Sequence, residues 1–191
     1  MSIAFKGAPV RFRSTRDAID AGIETIYQDS ALVEQMSIGR NLFLGREPAR
    51  RYGPIRSIDR AYIERTTREL LGRVGITKAL ASDTPIGSLS GGERQAIAIA
   101  RAMFFEADLI ILDEPTNNLG VEEADAVMAF IRDAKAAGHS SVLISHNIHH
   151  VFMVVDRVVV LRHGRKVGDL LRRETSIEQV EELITGRPRA R

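Results

Sequence analysis

The stretch Leu89–Thr116, reading LSGGERQAIAIARAMFFEADLIILDEPT, constrains the fold of this chain more than any other. Its first part is a helix start. Ser90 is a capping residue, Gly91 and Gly92 leave the backbone open to a ligand, and Glu93 falls in the first turn. Ala96, Ile97, Ile99, Ala100 and Met103 recur at helical spacing, so one face of that helix packs on a core. A helix start offers unpaired N–H groups and about half a positive charge, which suits an anion such as phosphate. The second part, Leu109–Leu112, is a continuous apolar run suited to a strand buried on both faces of a parallel sheet. It stops at Asp113-Glu114-Pro115. Adjacent carboxylates at the end of a buried strand are costly unless a cation meets them, and a hydrated magnesium ion carrying nucleotide phosphates supplies one.

Before this stretch, residues 1–13 alternate loosely around Gly7-Ala8-Pro9 and suit a short hairpin. Ser14 opens a short helix stopped at Gly22, and Ile23–Tyr27 is a strand ending in Gln28 and Asp29. Residues 30–88 read as mostly helical. Ser37 starts a short helix ending at Gly45, and a loop runs through Pro48, Gly53 and Pro54. Ser57 caps a longer helix whose apolar face is Tyr62, Ile63, Leu70, Leu71 and Val74, ended by Gly75.

After it, Asn117–Gly120 is a turn and 121–137 a helix stopped by Gly138. Ser141–Ser145 is a further buried strand ending in His146, and Asn147–Val155 is a short helix. Arg157–Leu161 and Arg165–Leu171 form a hairpin around Arg162-His163-Gly164. Thr175-x-x-Glu178 has the form of a capping box for a last helix reaching Gly186, and the tail 187–191 is expected to be disordered.

Strands alternating with helices specify an α/β fold with a mainly parallel sheet. Three strands end in polar residues: Gln28, Asp113 with Glu114, and His146. Ligands of open α/β sheets bind outside the carboxyl ends of the strands, so these three endings together describe a site.

Composition excludes several classes. The 191 residues are 44% hydrophobic and 27% charged, an ordinary globular balance. No apolar run approaches the ~18 residues of a membrane span, and the start of the chain has no apolar signal core. Cysteine is absent, which fits a reducing compartment. A net charge of +2 is too mild to argue for nucleic acid. Arg46, Arg50, Arg51, Arg56 and Arg60 cluster, and read as a solvated loop rather than a binding patch. His146, His149 and His150 invite a metal reading, but HNIHH lacks the glutamate of HExxH and no cysteine can complete a site.

LSGGE followed by LIILDEPT resembles the signature and Walker B motifs of ABC-type ATPases. GAPVRFRSTRDAIDAGIETIYQD and MSIGRNLFLGRE resemble the ATP-binding subunits of monosaccharide importers of the ribose, xylose and fructose type, and the likeness runs from about Gly7 to Gly186. The resemblance implies a P-loop NTPase-like parallel sheet with a helical subdomain. Residues 1–29 would be the end of a β-rich subdomain with the Q-loop strand. Residues 30–88 would be the helical subdomain that grips a permease, 89–186 the signature, Walker B and switch-histidine core, and 187–191 a tail. ATP and Mg2+ are the implied cofactors. Glu114 matches the catalytic glutamate and His146 the switch histidine. Asp113 matches the Walker B aspartate that holds magnesium through water, and Gln28 the Q-loop glutamine that senses magnesium and water. Ser90, Gly91, Gly92 and Glu93 match the signature that completes a nucleotide site on a second ATPase subunit. The implied partners are that second subunit, membrane permease subunits and, indirectly, a sugar-binding protein. The implied place is the cytoplasmic side of the cell membrane.

One motif of the family is absent: no GxxxxGK[ST] string occurs in the sequence. The family places it upstream of Met1, so the chain is expected to be N-terminally incomplete and to bind ATP weakly alone. Gly120 stands where many members place a D-loop aspartate, which puts coupling between two sites in question. Two functions from different classes follow. One is an ATP-hydrolysing subunit energising monosaccharide import. The other is a non-catalytic partner or remnant that binds the permease or an intact ATPase without hydrolysing ATP.

Overall fold

Two short strands paired in parallel organise the first part of the molecule. A computed structural model describes residues 3–27, 32–74, 76, 78–104, 107–117 and 119–186, apart from the side chains of Tyr52 and Met103. The chain divides into two compact units, Met1–Val142 and Leu143–Arg191.

The first unit opens with a hairpin, β1 (Ile3–Phe5) against β2 (Ala8–Val10). Helix α1 (Thr15–Asp20) follows, with the Ser14 side chain accepting from the Asp17 amide. Gly22, at φ +95, turns the chain sharply into strand β3 (Ile23–Ile26). β3 lies parallel to β6 (Leu109–Asp113), with Ile23 beside Leu109 and Ile26 beside Leu112. The sheet order is β3-β6-β7, where β7 is Ser140–Ile144, and the Ser140 amide donates to the Asp108 carbonyl at 2.9 Å.

β6 is fully buried at Ile110 and Leu112 and only half-buried at the alternate positions. β7 departs further from the expected buried strand, since Val142 and Ile144 are 46% and 48% exposed. An apolar run alone does not say how many faces of a strand are covered.

Between β3 and β6 lies the helical region. Ser37 caps α2 (Ile38–Leu42), as its spacing predicts. The expected loop after it is instead a hairpin, β4 (Ala49–Tyr52) against β5 (Ile55–Ile58), closed by Gly53-Pro54. Ser57 therefore belongs to β5, and the cap of α3 (Arg60–Arg73) is Asp59, which accepts from the Tyr62 amide. Local turn residues were legible there, but strand pairing displaced the cap by two positions. The expected stop at Gly75 lies outside the described residues.

α2, α3 and α4 (Gly91–Phe104) enclose one core of Ile38, Leu42, Phe43, Leu70, Leu71, Ile86, Leu89, Ile97 and Ala100. Phe43 is fully buried and meets Phe104 edge-on at 4.9 Å and Tyr62 at 6.1 Å. Asn41, also fully buried, is satisfied throughout: its Oδ1 accepts from the Val33 amide, and its Nδ2 donates to the carbonyls of Val33 and Ser37. A buried amide is tolerated on these terms, and it ties the segment after β3 to α2. Helix α5 (Val121–Ala136) buries Ala124, Val127, Met128, Phe130, Ile131 and Ala134.

The second unit holds α6 (Ile148–Val154), capped by Asn147, and the hairpin β8 (Arg157–Arg162) with β9 (Arg165–Leu171). Helix α7 (Ile177–Thr185) packs Val180 and Leu183 with Val158, Val160 and Leu170. Its capping box is Ser176 with Gln179, one residue later than the expected Thr175 and Glu178. That shift sets Val180 in the core and leaves Thr175 extended, its hydroxyl donating to Gln179.

Candidate functional site

β6 delivers the carboxylates. Asp113 is the last residue of the strand and Glu114 the next. Glu114 has φ +48, a left-handed backbone that costs an L-residue roughly 1–2 kcal/mol. The conformation is held from both sides. Pro115 behind it is fully buried, and the Asn117 amide donates to the Glu114 carbonyl at 3.1 Å. Lys6 and His163 adopt a similar positive φ in hairpin turns, whereas Glu114 does so at the carboxyl end of a parallel strand, where ligands of open α/β sheets bind.

The parallel register of β3 and β6 brings the end of β3 to the same sheet edge, because Ile26 pairs with Leu112, the residue before Asp113. Gln28 comes two residues after Ile26 and lies outside the described residues, as does Asp29. His146 belongs to the second unit, following β7, and Asn147 after it caps α6 by accepting from the His150 amide at 3.2 Å. Among the described residues, no three His, Asp or Glu side chains gather around one point that could hold a metal ion.

The signature segment is an open helix start. The Glu93 amide donates to Ser90 Oγ at 3.1 Å, and the Ser90 amide donates to Glu93 Oε2 at 2.8 Å, a reciprocal capping box. The Ser90 amide, and after it Lys78, whose Nζ is 3.3 Å from Glu93 Oε1, hold the Glu93 carboxyl below the usual range against the opposing effect of burial. Leu89 beneath the turn is buried and its carbonyl accepts from Arg94 at 3.2 Å, while Ser90 and Gly91 are exposed. Open space surrounds the position a Gly91 side chain would take. At Gly92 the same position lies 2.6 Å from Glu123 Cγ, so α4 and α5 begin against one another.

The structure thus brings Ser90, Gly91, Gly92 and Glu93 together at one helix tip, and Asp113 with Glu114 at one strand end. Sequence reasoning missed Lys78 and Glu123, which brace that tip. Neither carries a local pattern, since each is a surface charge until the fold places it. A cleft of about 440 Å³ opens beside the tip, lined by Ser90, Gly92, Glu93 and Glu123 among others, and by neither Asp113 nor Glu114.

Known proteins resemble this chain along most of its length. The ABC transporter family matches residues 2–117. The chain is 40% identical over 188 residues to the fructose import ATP-binding protein FrcA of Rhizobium meliloti, covering 96% of this chain and 72% of that protein. It is 37% identical to the xylose/arabinose import ATP-binding protein XylG of Sulfolobus acidocaldarius, covering 96% and 71%. It is 36% identical to the ribose import ATP-binding protein RbsA of Hahella chejuensis, where 97% of this chain spans 36% of the relative's length. Among solved structures, a dimeric ATP-binding cassette in a post-hydrolysis state bound to ADP and Pi aligns with a TM-score of 0.74 at 18% identity. That alignment covers 91% of this chain and 74% of the other. A nucleotide-free ATP-binding cassette from an ABC transporter aligns at 0.72 and 18%, covering 96% and 72%. With the fold shared at that level, the paired motifs in order and sequence identity running almost the full length, this chain belongs to the ABC transporter family.

Proposed function

We propose that this chain is an ATP-binding and ATP-hydrolysing subunit that energises import of a monosaccharide through a membrane permease. It works at the cytoplasmic side of the membrane, paired with a second ATPase subunit. The observation that carries the reading is the end of β6, where Asp113 leaves the sheet and Glu114 is held in a strained left-handed backbone.

The donor chemistry suits a nucleotide-bound magnesium ion. Such an ion keeps several waters and takes one or two carboxylates from the protein, so a dense cluster of ligands is not required. When bound, the magnesium ion and its nucleotide supply the phosphoryl group and neutralise its charge. Asp113 would hold the ion through water. Glu114 would take up a proton from the attacking water or orient it, the part a fixed carboxylate plays as general base. Gln28 would sense metal and water, and His146 would meet the terminal phosphate. Ser90, Gly91, Gly92 and Glu93 would face nucleotide held by the partner subunit, offering backbone N–H groups to the phosphates.

The exposed Ser90–Gly91 tip, ordered by its capping box with Glu93, favours a second reading, in which the chain donates only its signature to a hydrolysing partner. One experiment separates them. The transporter is assembled with its permease in proteoliposomes, and sugar-stimulated ATP turnover is measured for Glu114→Gln and Ser90→Arg. Loss of turnover in both variants supports hydrolysis by this chain. Loss in Ser90→Arg alone supports signature donation, and normal turnover in both overturns either role.

A further inference from the structure

We propose that the β4–β5 hairpin is a membrane contact of its own, taking anionic phospholipid headgroups. This goes beyond the reading above, in which the permease alone brings the chain to the bilayer.

The hairpin's described residues are exposed to solvent along both strands. All four residues of β5 are exposed, with Ile55 at 66% and Ile58 at 53%. A lone two-stranded ribbon is marginally stable in water, so such an element is retained at a cost unless something meets it. Its charges are also unbalanced. Arg51 stands directly opposite Arg56 across the ladder, a like-charged pair that destabilises the sheet. Arg60 opens α3, where the helix dipole already disfavours a cation. Arg50 is occupied by Asp59, but Arg51, Arg56 and Arg60 have no carboxylate partner among the described residues.

Two uncompensated guanidinium groups on one exposed hairpin, with Arg60 just beyond it at the start of α3, call for an anionic surface. The order of residues along the ribbon favours a bilayer over an acidic protein groove. Ile55 belongs to the rung next to the Gly53-Pro54 turn, and Arg51 with Arg56 form the next rung, about 3.3 Å behind. Entering tip first, Ile55 reaches the acyl boundary while the arginines stay at phosphate depth, where their planar forks pair with phosphate oxygens.

The test is co-sedimentation of the intact chain with phosphatidylcholine vesicles, with and without phosphatidylglycerol. Mixed vesicles are expected to retain the chain at least tenfold better than neutral ones, less so as salt rises. Each arginine charge removed should lower partitioning about fivefold, given ~1 kcal/mol per basic residue at an anionic surface. The variants are Arg51→Ala with Arg56→Ala, the same pair changed to Glu, and Ile55→Ser alone. Ile55→Ser should weaken retention without changing its salt dependence. Unchanged thermal melting confirms that the exposed changes leave the fold intact. Equal retention by neutral and anionic vesicles, or indifference to the arginine pair, would overturn the proposal. So would binding that appears only when permease is reconstituted, which would assign the hairpin to a protein partner.

Discussion

Ser90 and Glu93 hold each other across the first turn of α4, the amide of each donating to the side chain of the other at 2.8 and 3.1 Å. The pair satisfies two helix-end donors and fixes the backbone that any ligand of this tip would meet. Replacing Ser90 by Ala should cost ~1 kcal/mol of stability, measured by urea titration. Glu93 adds a pH dependence with a definite sign. Its folded pKa is lowered, so its contribution is present above the ordinary carboxylate range and disappears as pH falls through the lowered folded value. Glu93→Gln should flatten the acid limb of the stability profile. An unchanged limb would place the titration elsewhere.

The backbone at Glu114 predicts a conflict between stability and activity. Glu114→Ala and Glu114→Gly both remove the carboxylate, but only alanine keeps a Cβ in the left-handed region at φ +48. The glycine variant should be more stable than the alanine variant, by up to about 1 kcal/mol after the entropy of glycine in the unfolded chain is subtracted, and so melt higher. Both should lack hydrolysis in the assembled transporter. Equal melting temperatures would show that the turn relaxes once the carboxylate is gone.

The two signature glycines should answer alanine differently. Gly91 faces open space, so Gly91→Ala should leave stability unchanged or raise it by up to about 1 kcal/mol, as alanine does in helices. A loss of transporter turnover in that variant would then report ligand approach and not misfolding. Gly92→Ala pushes on Glu123 and should be destabilising until Glu123→Ala is added. A double-mutant cycle reads this coupling directly, and additive effects would refute the contact.

Phe43 anchors the helical region. Truncation to alanine removes its edge contacts with Phe104 and Tyr62 from a fully buried position, and should cost about 3–5 kcal/mol. Chemical denaturation checks the magnitude. A cost below 1 kcal/mol would mean that the core there is loosely packed.

Much of this was legible in the residues because the signals were local. Capping at Ser14, Ser37 and Ser90 needs only a short polar side chain beside the right amides, and each forms as the spacing predicts. The apolar run at Leu109–Leu112 likewise became a strand paired in parallel. The readings that failed involved residues far apart or shifts of one or two positions. The β4–β5 hairpin was hidden because Arg50, Arg51 and Arg56 mask any alternation of apolar and polar residues. The exposed Val142 and Ile144 look no different in sequence from buried ones.

The amino-acid sequence by itself determined the family and most of the helices and strands, though not the β4–β5 hairpin. Caps, glycines and apolar periods act over a few residues and are written where they act. Only the tertiary structure decided that Ile26 and Asp113 finish at one sheet edge, that Glu114 sits in a strained turn over a buried proline, and that Lys78 and Glu123 brace the signature tip. These depend on strand register and on contacts between residues distant in the chain, which come into being only when the core closes.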